Sequence, residues 1–191
     1  MLANDEQGSA DQGVPPDPGY AGFAGDVKMK NGKTYDLHDI RKRTLWGNVM
    51  AGGAGVMYYF GYSLPENDLK CQDFRSRDKS WDYCRIACHF LADNEIPIHE
   101  MQNMNSLVGN ADDGYRPWCL AKPGSVYLVY LPEGGKVTVD LSKESKDFDA
   151  FWFDPKKGGE LKPTEVANQK AASEFDAGNP GNDRVLLLRA K

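Results

Sequence analysis

Asp5 and Glu6 stand side by side in NDEQGSADQGVPPDPGYAG, residues 4–22, a stretch otherwise rich in glycine, proline and small polar residues. A carboxylate in such a place can act as a nucleophile or a proton acceptor, or it can be a solvated loop acid; these residue types alone leave both readings open. A second charged cluster, DFRSRDKSWD, carries Asp73, Arg75, Arg77 and Asp78. The planar guanidinium fork of an arginine there can hold a hydroxyl or orient a carboxylate. The same residues can instead tie a loop through Arg–Asp pairs, with Asp78 or Ser80 capping a helix. Between the two clusters lies MYYFGY, residues 57–62, with flat aromatic faces for stacking and tyrosine hydroxyls for hydrogen bonds.

Metal and triad chemistry lack their usual spacing. His38, His89 and His99 form neither HxxxH nor HExxH, and Cys71, Cys84, Cys88 and Cys119 contain no CxxC pair. No metal site and no cofactor is expected, and the cysteines read as small buried thiols.

These residues need elements to position them. Residues 4–33 have no hydrophobic period and read as a loop of a length that compact domains reserve for function. Leu37, Ile40, Leu45, Trp46 and Val49 then recur at helical steps, with Asp36 as cap and Arg41, Lys42 and Arg43 on the wet side; AGGAG, residues 51–55, ends that helix. VMYYFGY, residues 56–62, is β-branched and aromatic throughout, the pattern of a strand covered on both faces. Alternation sets Met57, Tyr59 and Gly61 on one side of it and Tyr58, Phe60 and Tyr62 on the other. A second helix is expected over 80–93, carrying Trp81, Cys84, Cys88 and Leu91.

From about residue 109 the texture changes to strand-length runs, WCLAKP, SVYLVYLP, KVTVDL, FDAFWFDP and RVLLLRAK, separated by KPG, PEGG and DPKKGG turn signals. Such spacing implies a small antiparallel β-sandwich. Alternation buries about half of its rings, Trp118, Tyr127, Tyr130, Phe151, Trp152 and Phe153.

Composition narrows the partners. The 191 residues are 40% apolar and 27% charged, enough to build a core, and the net charge is -5. No basic stripe is present for phosphates, so nucleic acid is not an expected partner. No apolar run approaches the ~18–20 residues of a membrane span, and the N-terminus lacks the basic-then-apolar pattern of a signal peptide.

Taken together, NDEQGSADQGVPPDPGY, RKRTLWGNVMAGGAGVMYYFGY, CQDFRSRDKSWDYCRIACHFLADN and CLAKPGSVYLVYLPEGG with FDAFWFDPKKGG resemble the C-terminal part of the apiosidase-like glycoside-hydrolase family. Members of that family carry a (β/α)8 TIM barrel followed by a β-domain labelled "putative collagen-binding domain of a collagenase". The resemblance implies an α/β plus all-β chain. Residues 1–108 would be the C-terminal portion of the barrel, with strands one to six absent, and residues 109–191 the β-sandwich.

It further implies that Asn4 to Gln7 lie at the C-terminal end of the seventh barrel strand, residues 36–50 form the seventh helix, 56–62 the eighth strand and 80–93 the last helix. Catalytic carboxylates of barrels sit at such strand ends, which points to Glu6 first and Asp5 second as nucleophile, with the acid/base partner on a strand this chain lacks. Tyr59 and Tyr62, at the end of the eighth strand, and Asp73, Arg75 and Arg77 in the loop beyond become candidate substrate-binding residues, the alternative being core packing and a structural loop. Implied partners are a carbohydrate substrate and the missing N-terminal barrel segment, with collagen by family label only. The implied location of the full-length protein is secreted or periplasmic. A fragment of this kind is expected to be inactive alone.

Overall fold

Sequence periodicity becomes two separately clustered units in the computed structural model, which describes residues 3–4, 13–109, 116–164, 172–178 and 180–191. One unit comprises residues 1–49 and 53–85, the other residues 50–52 and 86–191.

In the first unit, strand β1 (Ala3–Asn4) pairs in parallel with β4 (Gly55–Val56), and β2 (Val27–Lys28) forms a hairpin with β3 (Thr34–Tyr35). Asp36 caps the helical run as expected. Its carboxylate accepts from the His38 and Asp39 amides at 2.7 and 2.9 Å, and Asp39 Oδ2 accepts from the Asp36 amide, closing a capping box. The run proceeds through α1 (Leu37–Asp39), a π-helical stretch (Ile40–Trp46) and α2 (Gly47–Met50). Leu37, Leu45, Trp46 and Val49 are buried, as their period requires.

Arg41 is not on the wet side. The wider π turn shifts the register of the faces and carries Arg41 inside, where it is 2% exposed. Its guanidinium sits 4.8 Å from the Tyr83 ring centroid and 2.6 Å from His38 Nδ1, which must accept because arginine only donates.

The eighth-strand expectation is corrected. Only Gly55–Val56 of residues 56–62 and its neighbour joins a ladder, and Met57 and Tyr62 are exposed. Beyond the Gly55–Val56 pairing, the Val14 amide donates to Tyr59 O at 2.6 Å. Tyr58 and Phe60 both pack against Trp81, with centroids 5.9 Å away. Gly61, at φ +69°, breaks the alternation and swings Tyr62 to the Tyr59 side, where the two rings meet edge to face at 5.8 Å.

Helix α3 (Asp78–Asp93) follows a 3-10 turn (Phe74–Arg77). The division between the units falls inside it, after Arg85. No described helix is long and apolar enough to cross a membrane.

The second unit is the expected antiparallel sandwich. Strands β5 (Gln102–Asn103), β6 (Trp118–Lys122), β7 (Val126–Leu131), β9 (Phe148–Phe153), β10 (Lys162–Pro163) and β12 (Arg184–Ala190) form a six-stranded sheet in the order β10-β9-β12-β7-β6-β5, while β8 (Lys136–Val139) pairs with β11 (Ser173–Asp176). Tyr127, Val129, Leu131, Phe148, Leu186 and Leu188 from the large sheet pack with Val137, Val139 and Phe175 from the small one. The sheet already begins at Gln102.

All six residues of β7 are buried. Its second face is dry as well, and on that side Phe90 of α3 stacks on Phe153 at 4.4 Å. Half of the six rings are buried, as alternation predicts: Tyr127, Tyr130 and Phe153 are inside, while Trp118, Phe151 and Trp152 are half-buried. The thiols depart from expectation. Cys119 is buried, and dehydration pushes it up to about 12, whereas Cys71 and Cys88 are exposed and Cys84 is intermediate.

Candidate functional site

The loops between Phe60 and α3 gather most of the chemistry expected in the first unit. They are held by one side chain. Arg77, fully buried, donates from Nε to Val14 O at 2.9 Å, from Nη1 to Ser76 Oγ at 2.7 Å and from Nη2 to Pro65 O at 3.1 Å, and its guanidinium stacks 4.0 Å from the Phe60 centroid. Burial pulls its pKa below the ordinary arginine value. Arg77, a candidate substrate-binding residue from the sequence, has its donor fork directed at backbone and hydroxyl oxygens of its own loops.

Asp73 is a cap and an anchor at once. Oδ1 accepts from the Arg75 amide at 3.0 Å, starting the 3-10 turn, and Oδ2 accepts from the Tyr20 hydroxyl at 3.0 Å. Glu66 completes the network from a left-handed conformation at φ +51°, its Oε2 accepting from the Gln72 and Asp73 amides at 2.7 and 3.0 Å. Those amide donors, Asp73 first, hold the Glu66 carboxyl below its usual 4.5. Removal from water, together with the Asp73 carboxylate, pushes the Tyr20 hydroxyl up to about 12, so it remains a donor at neutral pH.

The Arg–Asp ties considered for this loop do not form among the described residues. Nor do Asp78 and Ser80 cap α3; Asp17, 62 residues upstream of its partner, accepts from the Lys79 amide at 3.1 Å. Arg75 is exposed, its guanidinium 6.0 Å from the Phe74 ring. Tyr59 is half-buried and Tyr62 exposed, so of the two only Tyr62 offers a large free face. Asp5 and Glu6 lie outside the described residues; in sequence they directly follow β1.

Tyr20, Glu66 and Asp17 are framework residues of these loops that sequence reasoning missed. Each sits in a turn-rich stretch, and nothing in PDPGY or PEND marks which polar side chain will turn inward. Together the loops present carboxylate oxygens, a tyrosine hydroxyl and the exposed Tyr62 ring, groups suited to hydroxyl-rich ligands. Among the described residues no cluster of three or more His, Cys, Asp or Glu could hold a metal ion.

The amide bonds to Glu66 predict a pH response. A carboxyl whose folded pKa is lowered stabilises above the ordinary value and loses that contribution as pH falls through 4.5 and then through the folded value. Amide exchange at Gln72 and Asp73 is therefore expected to speed up below that point beyond the intrinsic pH effect, and Glu66→Gln to show weakened protection already at pH 7. Unchanged protection in Glu66→Gln overturns the assignment.

Residues 103–189 match the family described as "Putative collagen-binding domain of a collagenase". The chain has no match among curated proteins. Among solved structures it is similar to a glycoside hydrolase family 5 protein from Bacteroides vulgatus ATCC 8482, at 22% identity and a TM-score of 0.64, over 84% of this chain and 37% of that one. It is also similar to a protein described as "Glycoside hydrolase", at 21% identity and a TM-score of 0.65, over 85% of this chain and 39% of that one. The chain thus spans well under half of either structure, and the likeness is one of fold: that of the C-terminal part of glycoside hydrolase structures.

Proposed function

We propose that this chain is the C-terminal part of an apiosidase-like glycoside hydrolase, secreted or periplasmic when whole, that acts on O-glycosidic bonds of poly- or oligosaccharides. The observation that carries this reading is the shared fold over 84–85% of the chain with two glycoside hydrolase structures. The parallel β1–β4 pair supports it, because two carboxylates follow β1 in sequence and barrel enzymes place catalytic acids where strands give way to loops. In that reading the first unit supplies the last barrel elements. Glu6 is the nucleophile, with Asp5 beside it, and the proton donor comes from a strand outside this chain. Tyr59, Tyr62 and the Tyr20–Asp73–Glu66 network border the sugar, while Arg77 fixes the loops.

The test is aryl-glycoside turnover by the protein expressed with its upstream coding sequence. Glu6→Gln is expected to lower kcat at least about a hundredfold, as for loss of a proton-transferring or nucleophilic carboxylate. Equal rates remove Glu6 from the mechanism.

The family match over residues 103–189 favours a second reading, in which the β-unit is a carbohydrate- or matrix-binding module. Retention of the full chain on insoluble glycans or on collagen separates that role from a purely structural appendage of the barrel.

A further inference from the structure

At one end of the large sheet of the second unit, where β9 runs into the DPKKGG turn, lies a cleft of about 400 Å³. That volume is in the range of small-ligand sites. Trp152 forms one wall, half-buried because its inner side packs against the sandwich core. Asp154 and Arg184, 3.3 Å apart, line it as an ion pair, and Lys157, Glu160 and Lys162 surround them. Among the described residues the side chains of Lys157, Glu160 and Lys162 have no hydrogen-bond or ion-pair partner.

The cleft is held ready. Asp154 Oδ1 accepts from the Lys156 and Lys157 amides at 2.9 and 3.0 Å, and its carbonyl accepts from the Gly158 amide at 2.8 Å. Gly158 and Gly159 take positive φ, and a side chain at Gly158 would press on Ile86 at 3.3 Å. A turn fixed this way loses little entropy when a ligand arrives.

We propose that this cleft binds a sugar residue carrying a carboxylate, within an acidic glycan. The Trp152 ring offers a flat apolar face for the sugar's C–H face. Two lysines against one unpaired carboxylate give a local positive balance in a chain whose net charge is -5, which selects an anion. Glu160 accepts from ring hydroxyls, a role that an unsubstituted phosphate does not use. The site makes no use of hydrolysis and lies apart in sequence from Glu6; it rests on the glycan reading above only for its ligand class.

The experiment titrates the full chain with a glucuronate-containing tetrasaccharide and with its carboxyl-reduced counterpart, following tryptophan fluorescence and heat. The acidic form is expected to bind about tenfold tighter than the reduced form, the equivalent of one charge-assisted contact. Added salt should erase the difference. Lys157→Glu/Lys162→Glu is expected to lose that tenfold, Lys156→Glu, an exposed neighbour outside the cleft, to lose nothing, and Trp152→Phe to remove most of the fluorescence change. Equal binding of both sugars, binding of neither, undiminished binding by the double lysine variant, or tighter binding of a triple-helical collagen peptide overturns the proposal. Glycoside turnover by the upstream-extended protein is read separately, so either idea can fail while the other stands.

Discussion

Replacing Gly13 by alanine is expected to destabilise the first unit by about 4 kcal/mol, combining overpacking with the loss of hydrogen bonds that the same residues make. A Cβ at Gly13 would lie 2.0 Å from the Phe60 carbonyl carbon and 2.3 Å from Gly61 N and Tyr59 O. These are backbone atoms, which cannot swing away as the end of a flexible side chain would. The two segments must part, and with them the Val14 amide bond to Tyr59 O. The Tyr35 hydroxyl, which donates to Gly13 O at 2.6 Å, is pulled out of place as well. Amide exchange on the full chain checks this: protection around Val14 and Tyr83 falls, while Leu128 and Leu186 in the second unit keep theirs. An alanine variant with unchanged protection at Val14 sinks the account.

The contact is invisible in the sequence, where Gly13 is one of several glycines in a loop-like stretch. Much else was legible because local periodicity and long-range burial agree. The strands over 118–190 were readable because KPG, PEGG and DPKKGG interrupt runs whose apolar residues fill a sheet core, and the Asp36 cap followed from its place before a helical period. Strand β11 was missed because SEFD buries only Ser173 and Phe175 and leans on a single partner strand. Arg41 and Tyr62 were misplaced for conformational reasons. A π turn and a left-handed Gly61 each rotate the residues next along the chain, and neither leaves a compositional mark.

The candidate site was legible as a neighbourhood and not as a set of roles. DFRSRD does contribute the cap Asp73 and the buried Arg77, yet the groups they bind are backbone atoms, the adjacent Ser76 hydroxyl and a tyrosine reached through folding. Side-chain types announce charge and hydrogen-bonding capacity. Whether that capacity is spent on a ligand or on the protein's own carbonyls depends on partners 12 and 63 residues away, as for Arg77.

That distinction makes Arg77 the second large effect. Arg77→Met keeps much of the stem packing and removes the fork, leaving Val14 O, Pro65 O and Ser76 Oγ without their donor. At ~1–3 kcal/mol for each buried acceptor left unpaired, and with Ser76 able to turn elsewhere, the expected loss is about 3–5 kcal/mol. Arg77→Lys should recover less than half of it, because an ammonium cannot reach oxygens on three sides of a planar fork while stacking on Phe60. Urea unfolding of the full chain, followed by the fluorescence of Trp81 beside Phe60, reads the stability. Amide exchange at Val14 reads the specific tie. A loss below ~1 kcal/mol for Arg77→Met, within the range of an ordinary surface substitution, would return Arg77 to the role of a ligand-facing arginine. A large loss with Lys failing to rescue assigns it to the framework that holds residues 13–14, Pro65 and the Phe60 ring together.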